Sequence, residues 1–368
     1  MLSVSIEESS KKMFDYKKLA GILIGNTMQF YDFTIYVFLA TQIGKEFFNF
    51  QDKFLSYVVV FLVFASGYLT RPLGSLIFGW IGDQKGRSRA LLLAIYFSML
   101  ATFLIGFIPG YSVLGIAAPL ILVGLRLIQG LSVSGEEGGA VVLLFEGHSF
   151  KKTGVIGSLV LSSVLLGVVL GMIVCLISTT LVSAQVIGNW AWRIPFFLSL
   201  PLGILGVWLR RYFSDEQLFQ IAKQNGLVAK NPVSLLFKEY LSSLLFSILI
   251  VSTYSIITST LIVHFPYLLS EKIGLSQENA LLMLIGSIIF IICLTPIFGK
   301  ASDKQDAFSL YRIYMWVIIL SSPFIFYLIC SKYIILTVLG VMLFSIEIAM
   351  FSSLVFILLV GIIMNPEI

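Results

Sequence analysis

Gly67-Tyr68-Leu69-Thr70-Arg71-Pro72-Leu73-Gly74, followed after a short apolar turn by Phe78-Gly79-Trp80-Ile81-Gly82-Asp83-Gln84-Lys85-Gly86-Arg87-Ser88-Arg89, decides the fold of this 368-residue chain. An apolar run precedes the first block. An arginine therefore falls inside a helix long enough to cross a bilayer, and that helix closes on a glycine-rich hairpin carrying both signs of charge. A charge at bilayer depth costs about 3 kcal/mol or more unless it is partnered or meets a water-filled path, so it marks a solute pathway or a partner. Span, buried charge and short basic hairpin together imply a membrane transporter.

Composition leads the same way. With 58% hydrophobic and only 12% charged residues, and a mean hydropathy of +1.00, the chain cannot be an ordinary soluble globule. Crossing the hydrocarbon core takes about 20 mostly apolar residues. About ten stretches qualify on that requirement: 18–40, 54–79, 90–108, 113–134, 154–182, 190–209, 241–269, 278–299, 311–330 and 333–363. Cys175, Cys293 and Cys330 all lie in apolar stretches without metal or disulfide spacing and read as small hydrophobes.

Short loops rich in Lys and Arg stay in the cytoplasm. With the N-terminus inside, the inner loops hold most of the basic residues, among them Lys85, Arg87, Arg89, Lys151, Lys152, Arg210, Arg211, Lys300, Lys304 and Arg312, while the outer loops hold Lys45, Lys53, Lys272 and Lys332. Both termini are therefore expected in the cytoplasm. The net charge of +5 is a topology signal, and no basic patch for a nucleic acid stands out. Residues 1–17 read as a cytosolic tail without the apolar core of a signal peptide.

The chain also repeats itself. Ile77-Phe78-Gly79-Trp80-Ile81-Gly82-Asp83 returns as Ile297-Phe298-Gly299-Lys300-Ala301-Ser302-Asp303, each copy closing an apolar span, which implies duplicated halves. The polar stretch 210–240 reads as a central cytoplasmic linker. It divides a six-helix bundle, 18–209, from a second bundle, 241–368.

Several blocks resemble the major facilitator superfamily. Gly79, Asp83, Gly86 and Arg87 stand as its Gly-x-x-x-Asp-x-x-Gly-Arg motif, and Arg126, Gln129 and Gly130 as its Arg-x-x-Gln-Gly motif. Gly25-Asn26 with Tyr31-Asp32-Phe33, Tyr68-Leu69 with Arg71-Pro72-Leu73-Gly74, Gly135-Glu136 with Gly138-Gly139-Ala140, and Trp192-Arg193-Ile194-Pro195-Phe196 are similar to its metabolite:proton symporter branch. The resemblance implies an all-α polytopic membrane protein, a two-bundle transporter working by alternating access. It also implies a bacterial inner membrane location and proton-coupled symport of a small carboxylate-bearing solute. An osmolyte such as proline or betaine is preferred, and a di- or tricarboxylate such as α-ketoglutarate or citrate is the alternative. Protons, a small-molecule substrate and the lipid bilayer are the expected partners, with no metal and no cofactor.

Individual residues acquire roles on physical grounds. Asp32 sits near the middle of the first span, where burial drives an unpaired carboxylate to hold a proton, as a proton-coupling site requires. The plainer reading is a salt bridge to Arg71 or Arg126. Glu136 is expected to turn inward and share the coupling. Relatives commonly have an acid where this chain has Gln29, which leaves more of that task to Asp32, Glu136 and Glu137. Arg71 and Arg126 can grip a carboxylate through the planar guanidinium fork, and Tyr31 can face an ammonium. Gly79, Asp83, Gly86, Arg87 and Arg89, with Asp303 in the second copy, are expected to form a conformational latch. There Asp83 accepts from Arg87 or from a helix N-terminus. Gly167 and Gly171 form a small-residue packing pair.

An enzyme is not expected: His148 and His264 lack partners at metal-ligand spacing, and neither a nucleophile elbow nor a phosphate loop is present. The second hairpin lacks the Gly-Arg finish, and apolar sequence runs on around Glu347 to Ile368 where the superfamily continues to twelve spans. The C-terminal bundle therefore reads as truncated, and a non-transporting remnant is the rival reading.

Overall fold

The computed structural model describes residues 16–48, 52–146, 153–211, 234, 237–238, 240–331 and 333–364. They are almost wholly helical, with no strand among them. Most of the expected linker, and most of the N-terminal tail, lie outside the described residues.

Nine helical stretches among the described residues are long and apolar enough to cross a membrane, against the ten read from the sequence. The difference is α1 (Tyr16–Phe38), whose 23 residues reach about 34 Å at 1.5 Å per residue. It is long enough, but Asn26, Gln29 and Asp32 dilute its hydropathy. All three are buried, so α1 is a span whose polar residues face protein.

The second span departs from the expected single helix. The short helix α2 (Ala40–Phe47) leads to α3 (Lys53–Leu69), the chain turns at Thr70, and α4 (Arg71–Lys85) follows with Pro72 in its first turn. Proline is well placed there because its missing N–H would be unsatisfied in any case. Arg71 is thus the first residue of a helix at a break. The Thr70 hydroxyl lies 3.0 Å from the Gly67 carbonyl and 3.0 Å from the Leu127 carbonyl on a neighbouring helix.

The remaining spans are α5 (Arg87–Ile105), α6 (Ala117–Glu146), α7 (Thr153–Ser183), α8 (Ile194–Arg211), α9 (Leu241–Ser259), α10 (Phe265–Ile273), α11 (Gln277–Ser302), α12 (Ala307–Ile329) and α13 (Ile334–Met364). A single π turn, Thr260–His264, joins α9 to α10. The fourth span, read as 113–134, runs on to Glu146 and carries the Gly135–Gly139 cluster within one helix.

The chain forms two compact units. One comprises Met1–Glu146 with Gly167–Val233, the other Gly147–Leu166 with Ser234–Ile368. Helix α7 is shared, its first half in the second unit and its second half in the first.

In the first unit, α3 and α4 cross α6 at glycines. A Cβ on Gly130 would strike the Gly67 carbonyl, and one on Gly74 the Leu131 carbonyl. Without a hydrophobic drive between helices in lipid, such close backbone approach is what holds them together. Gly167 and Gly171 serve the same end: a Cβ on the first would meet the Thr27 carbonyl and Phe30, and on the second Thr34 and Ile35. One end of this unit is clamped by Arg193, which pairs with Glu46 at 2.7 Å and donates to the Gly106 and Ile108 carbonyls at 3.0 and 2.9 Å. In the second unit, α7 meets α11 where Gly154 faces the Gly299 carbonyl, and α13 packs against α11 and α12.

Candidate functional site

Three helices of the first unit, α1, α5 and α6, bring their polar residues together. Asp32 is 4% exposed, and its Oδ2 accepts from the Ser98 hydroxyl at 3.4 Å. One turn along α5, Thr102 donates to the Ser98 carbonyl at 2.8 Å. Gln129 donates through Nε2 to the Thr102 hydroxyl at 2.6 Å, and Arg126 donates through Nη1 to Gln129 Oε1 at 2.7 Å. The helical spacings make this line of contacts possible, since residues three or four apart share a face: Ser98 and Thr102 on α5, Arg126 and Gln129 on α6.

Arg126 is fully buried. Its Nη1 also reaches the Phe33 carbonyl at 3.3 Å, while Nε and Nη2 have no hydrogen-bond partner. The guanidinium carbon lies 4.6, 4.4 and 5.0 Å from the ring centroids of Phe33, Tyr36 and Phe64. Arg71 shares Phe33, its guanidinium carbon 4.5 Å from that centroid and 4.2 Å from that of Tyr68. Neither arginine pairs with a carboxylate among the described residues. The salt bridge weighed for Asp32, to Arg71 or Arg126, is likewise not formed, and the carboxylate's hydrogen-bond partner is the hydroxyl of Ser98. Among the described residues, then, neither arginine meets a carboxylate and Asp32 meets no cation, and ionisable groups left so within membrane spans mark a functional site.

The other expected site residues fall as follows. Tyr31 is 1% exposed and donates its hydroxyl to the Pro195 carbonyl at 2.8 Å, so in this geometry it ties α1 to α8. Glu136 and Glu137 ride on α6, but their side chains lie outside the described residues. Asp83 and Arg87 form an i,i+4 ion pair at 2.7 Å across the α4–α5 junction. That junction is tighter than the hairpin read from the sequence, because helix continues to Lys85 and resumes at Arg87, leaving Gly86 alone at φ 98°. Left-handed backbone of this kind favours glycine. A Cβ on Gly79, by contrast, would meet nothing, so no tight approach explains that glycine. Arg89 is exposed on the first turn of α5. Asp303 lies in the second unit, where it accepts from the Gly154 and Val155 amides.

Sequence reading missed five contributors. Ser98 and Thr102 looked like small polar residues in an apolar span, and their i,i+4 spacing was the available signal. Phe33, Phe64 and Tyr68 are spread over two helices, and only folding stacks them around the arginines.

The family of sugar and other transporters matches residues 19–231, more than half of the chain. The proline/betaine transporter of Escherichia coli strain K12 is 35% identical over 299 residues, which cover 78% of this chain and 59% of that protein. The glycine betaine/proline/ectoine/pipecolic acid transporter of Dickeya dadantii is 34% identical over 299 residues, with the same coverage of 78% and 59%. The chain thus spans 59% of the length of both relatives. Among solved structures, a proton:xylose symporter of the major facilitator superfamily superposes with a TM-score of 0.71 at 15% identity, covering 93% of this chain and 81% of its own. The human organic anion transporter MFSD10 superposes with a TM-score of 0.63 at 14% identity, covering 94% and 86%. At such identities the superpositions establish the fold alone.

Proposed function

This multi-pass membrane protein belongs to the sugar and other transporter family within the major facilitator superfamily, and from that premise we propose that it carries a small zwitterionic osmolyte, proline or betaine, in symport with protons. The observation that carries the reading is the separation of ionisable groups in the first unit: among the described residues, Arg71 and Arg126 meet no carboxylate and Asp32 meets no cation.

Arg71 and Arg126 offer the solute's carboxylate a guanidinium that no side chain of the described unit neutralises. Asp32 takes the proton. Its protonation removes a buried charge and leaves a carboxyl that still shares the Ser98 hydroxyl, while the Thr102–Gln129–Arg126 contacts tie the two functions into one hydrogen-bonded layer. Alternating access would then exchange the site between the two faces of the membrane. The Asp83–Arg87 pair with Gly86, and Asp303 at the end of α11, which accepts from the first turn of α7, are proposed latches of that exchange. The bias of Lys and Arg between alternate loops supports a cytoplasmic side for both ends of the chain, and its bacterial relatives support a bacterial inner membrane. No chemical change to the solute is part of this reading. A di- or tricarboxylate is not favoured, because the relatives are named for proline, betaine, ectoine and pipecolic acid.

Uptake of labelled glycine betaine and α-ketoglutarate into proteoliposomes, with and without an imposed pH gradient, tests the proposal. Betaine accumulation that follows the gradient is expected. Accumulation of α-ketoglutarate instead, or betaine flux indifferent to the gradient, would sink it.

A further inference from the structure

Between them, Arg71 and the rings it covers suggest how a zwitterion is told from a plain anion. We infer that the faces of Phe33 and Tyr68, occupied in this structure by the Arg71 guanidinium, are the binding site for the solute's ammonium group, and that Arg71 leaves them to pair with the solute's carboxylate. This rests on the reading above, that the solute carries both charges, and it names the groups that read the positive one.

The two rings stand edge to face with centroids 5.3 Å apart, and the Arg71 guanidinium carbon is within 4.5 Å of both. A cation within about 6 Å of a ring centroid is drawn to the ring's negative face, and the attraction reaches about 2 kcal/mol or more where water is excluded. The pair is therefore a cation site already holding a cation. What distinguishes Arg71 from Arg126 is how each is tied. Arg126 is fixed by the Phe33 carbonyl, by Gln129 and by three rings. Among the described residues, Arg71 has ring contacts alone and a buried Nε without a partner. Its side chain is only partly buried, it starts a helix just after the Thr70 turn, and Tyr68 is 46% exposed. Tyr68 thus opens to the surface of the first unit while Phe33 is 1% exposed, so an occupant would exchange from the Tyr68 side.

Exchange gives selectivity. A zwitterion fills the rings with its ammonium and offers its carboxylate to the displaced guanidinium, so no charge is stranded. A plain cation such as choline would displace Arg71 beside Arg126 with no anion to compensate, and a plain carboxylate would leave the rings empty.

The test is equilibrium binding of labelled glycine betaine and labelled choline to the full chain in detergent micelles. Tyr68→Phe keeps the ring face and is expected to hold betaine within about threefold of the unsubstituted protein, whereas Tyr68→Leu loses it and weakens binding about tenfold or more. Arg71→Gln vacates the rings and removes the carboxylate's partner, so betaine binding falls while choline binding appears. A misfolded protein cannot show that gain. Betaine binding unchanged by Tyr68→Leu, or no choline binding by Arg71→Gln, overturns the inference and leaves the proposed function standing. An unsubstituted chain that binds no betaine overturns both.

Discussion

Asp303 accepts the Gly154 amide at 2.6 Å through Oδ1 and the Val155 amide at 3.2 Å through Oδ2. A carboxylate at the end of α11 thereby closes the first turn of α7. It satisfies two of the N–H groups orphaned at a helix start and sits at the positive end of the helix dipole. The crossing is close because neither Gly154 nor Gly299 has a side chain to hold the backbones apart.

Asp303→Ala removes the cap and is expected to cost about 1 kcal/mol of stability in the second unit. Amide hydrogen exchange at residues 154–156 reads it directly. Protection there should fall while that of α12 holds; unchanged exchange would mean that packing alone fixes the α7 start.

Asp32→Asn retains size and can still share the Ser98 hydroxyl, so the protein should insert, fold and bind its solute. It cannot carry a proton, and accumulation driven by a pH gradient is expected to vanish. Undiminished gradient-driven uptake in this variant would remove Asp32 from the coupling step.

Lysine substitution should separate the two arginines. Arg126→Lys loses the fork that spans Gln129 and the Phe33 carbonyl, so a fall in thermal stability of about 2 kcal/mol is expected. Arg71 holds no such bonds, and Arg71→Lys should leave stability unchanged while weakening solute binding. Equal thermal shifts in the two variants would contradict the assignment.

Glycines give a graded series. Gly74→Ala and Gly130→Ala drive a methyl into the Leu131 and Gly67 carbonyls and should cost about 1–3 kcal/mol each or prevent assembly. Gly86→Ala meets the strain of left-handed backbone, about 1–2 kcal/mol. Gly79→Ala points into open space and should be silent in the same unfolding assay.

Glu347 is 3% exposed in α13 and shares the Ser321 hydroxyl of α12, with its second oxygen unpartnered. Glu347→Gln keeps shape and contact without a charge to bury, so thermal stability should be unchanged or slightly raised. A marked loss would show that the carboxyl has a function that an amide cannot perform.

Much of this protein could be read from one dimension. Runs of about 20 apolar residues can satisfy their backbone in a bilayer only as helices, so helix type followed from hydropathy, and the buried positions of Asp32 and Arg126 followed from their place within spans. The exceptions have local causes. Pro72 splits the second span beside Thr70, and the fourth runs on to Glu146, past the apolar stretch that ends near residue 134.

Partners were another matter, because which side chains meet depends on how helices rotate and cross. Arg71 and Arg126 were legible as cations, but nothing in their spacing foretold that both would rest on Phe33, or that Asp32 would turn from them to Ser98. Tyr31 seemed free to greet a solute until the crossing of α1 with α8 gave its hydroxyl to Pro195. Hydrophobic length specifies that a helix spans. Only the close contacts at Gly67, Gly74 and Gly130 set its rotation and depth against its neighbours, and with them the chemistry of the site.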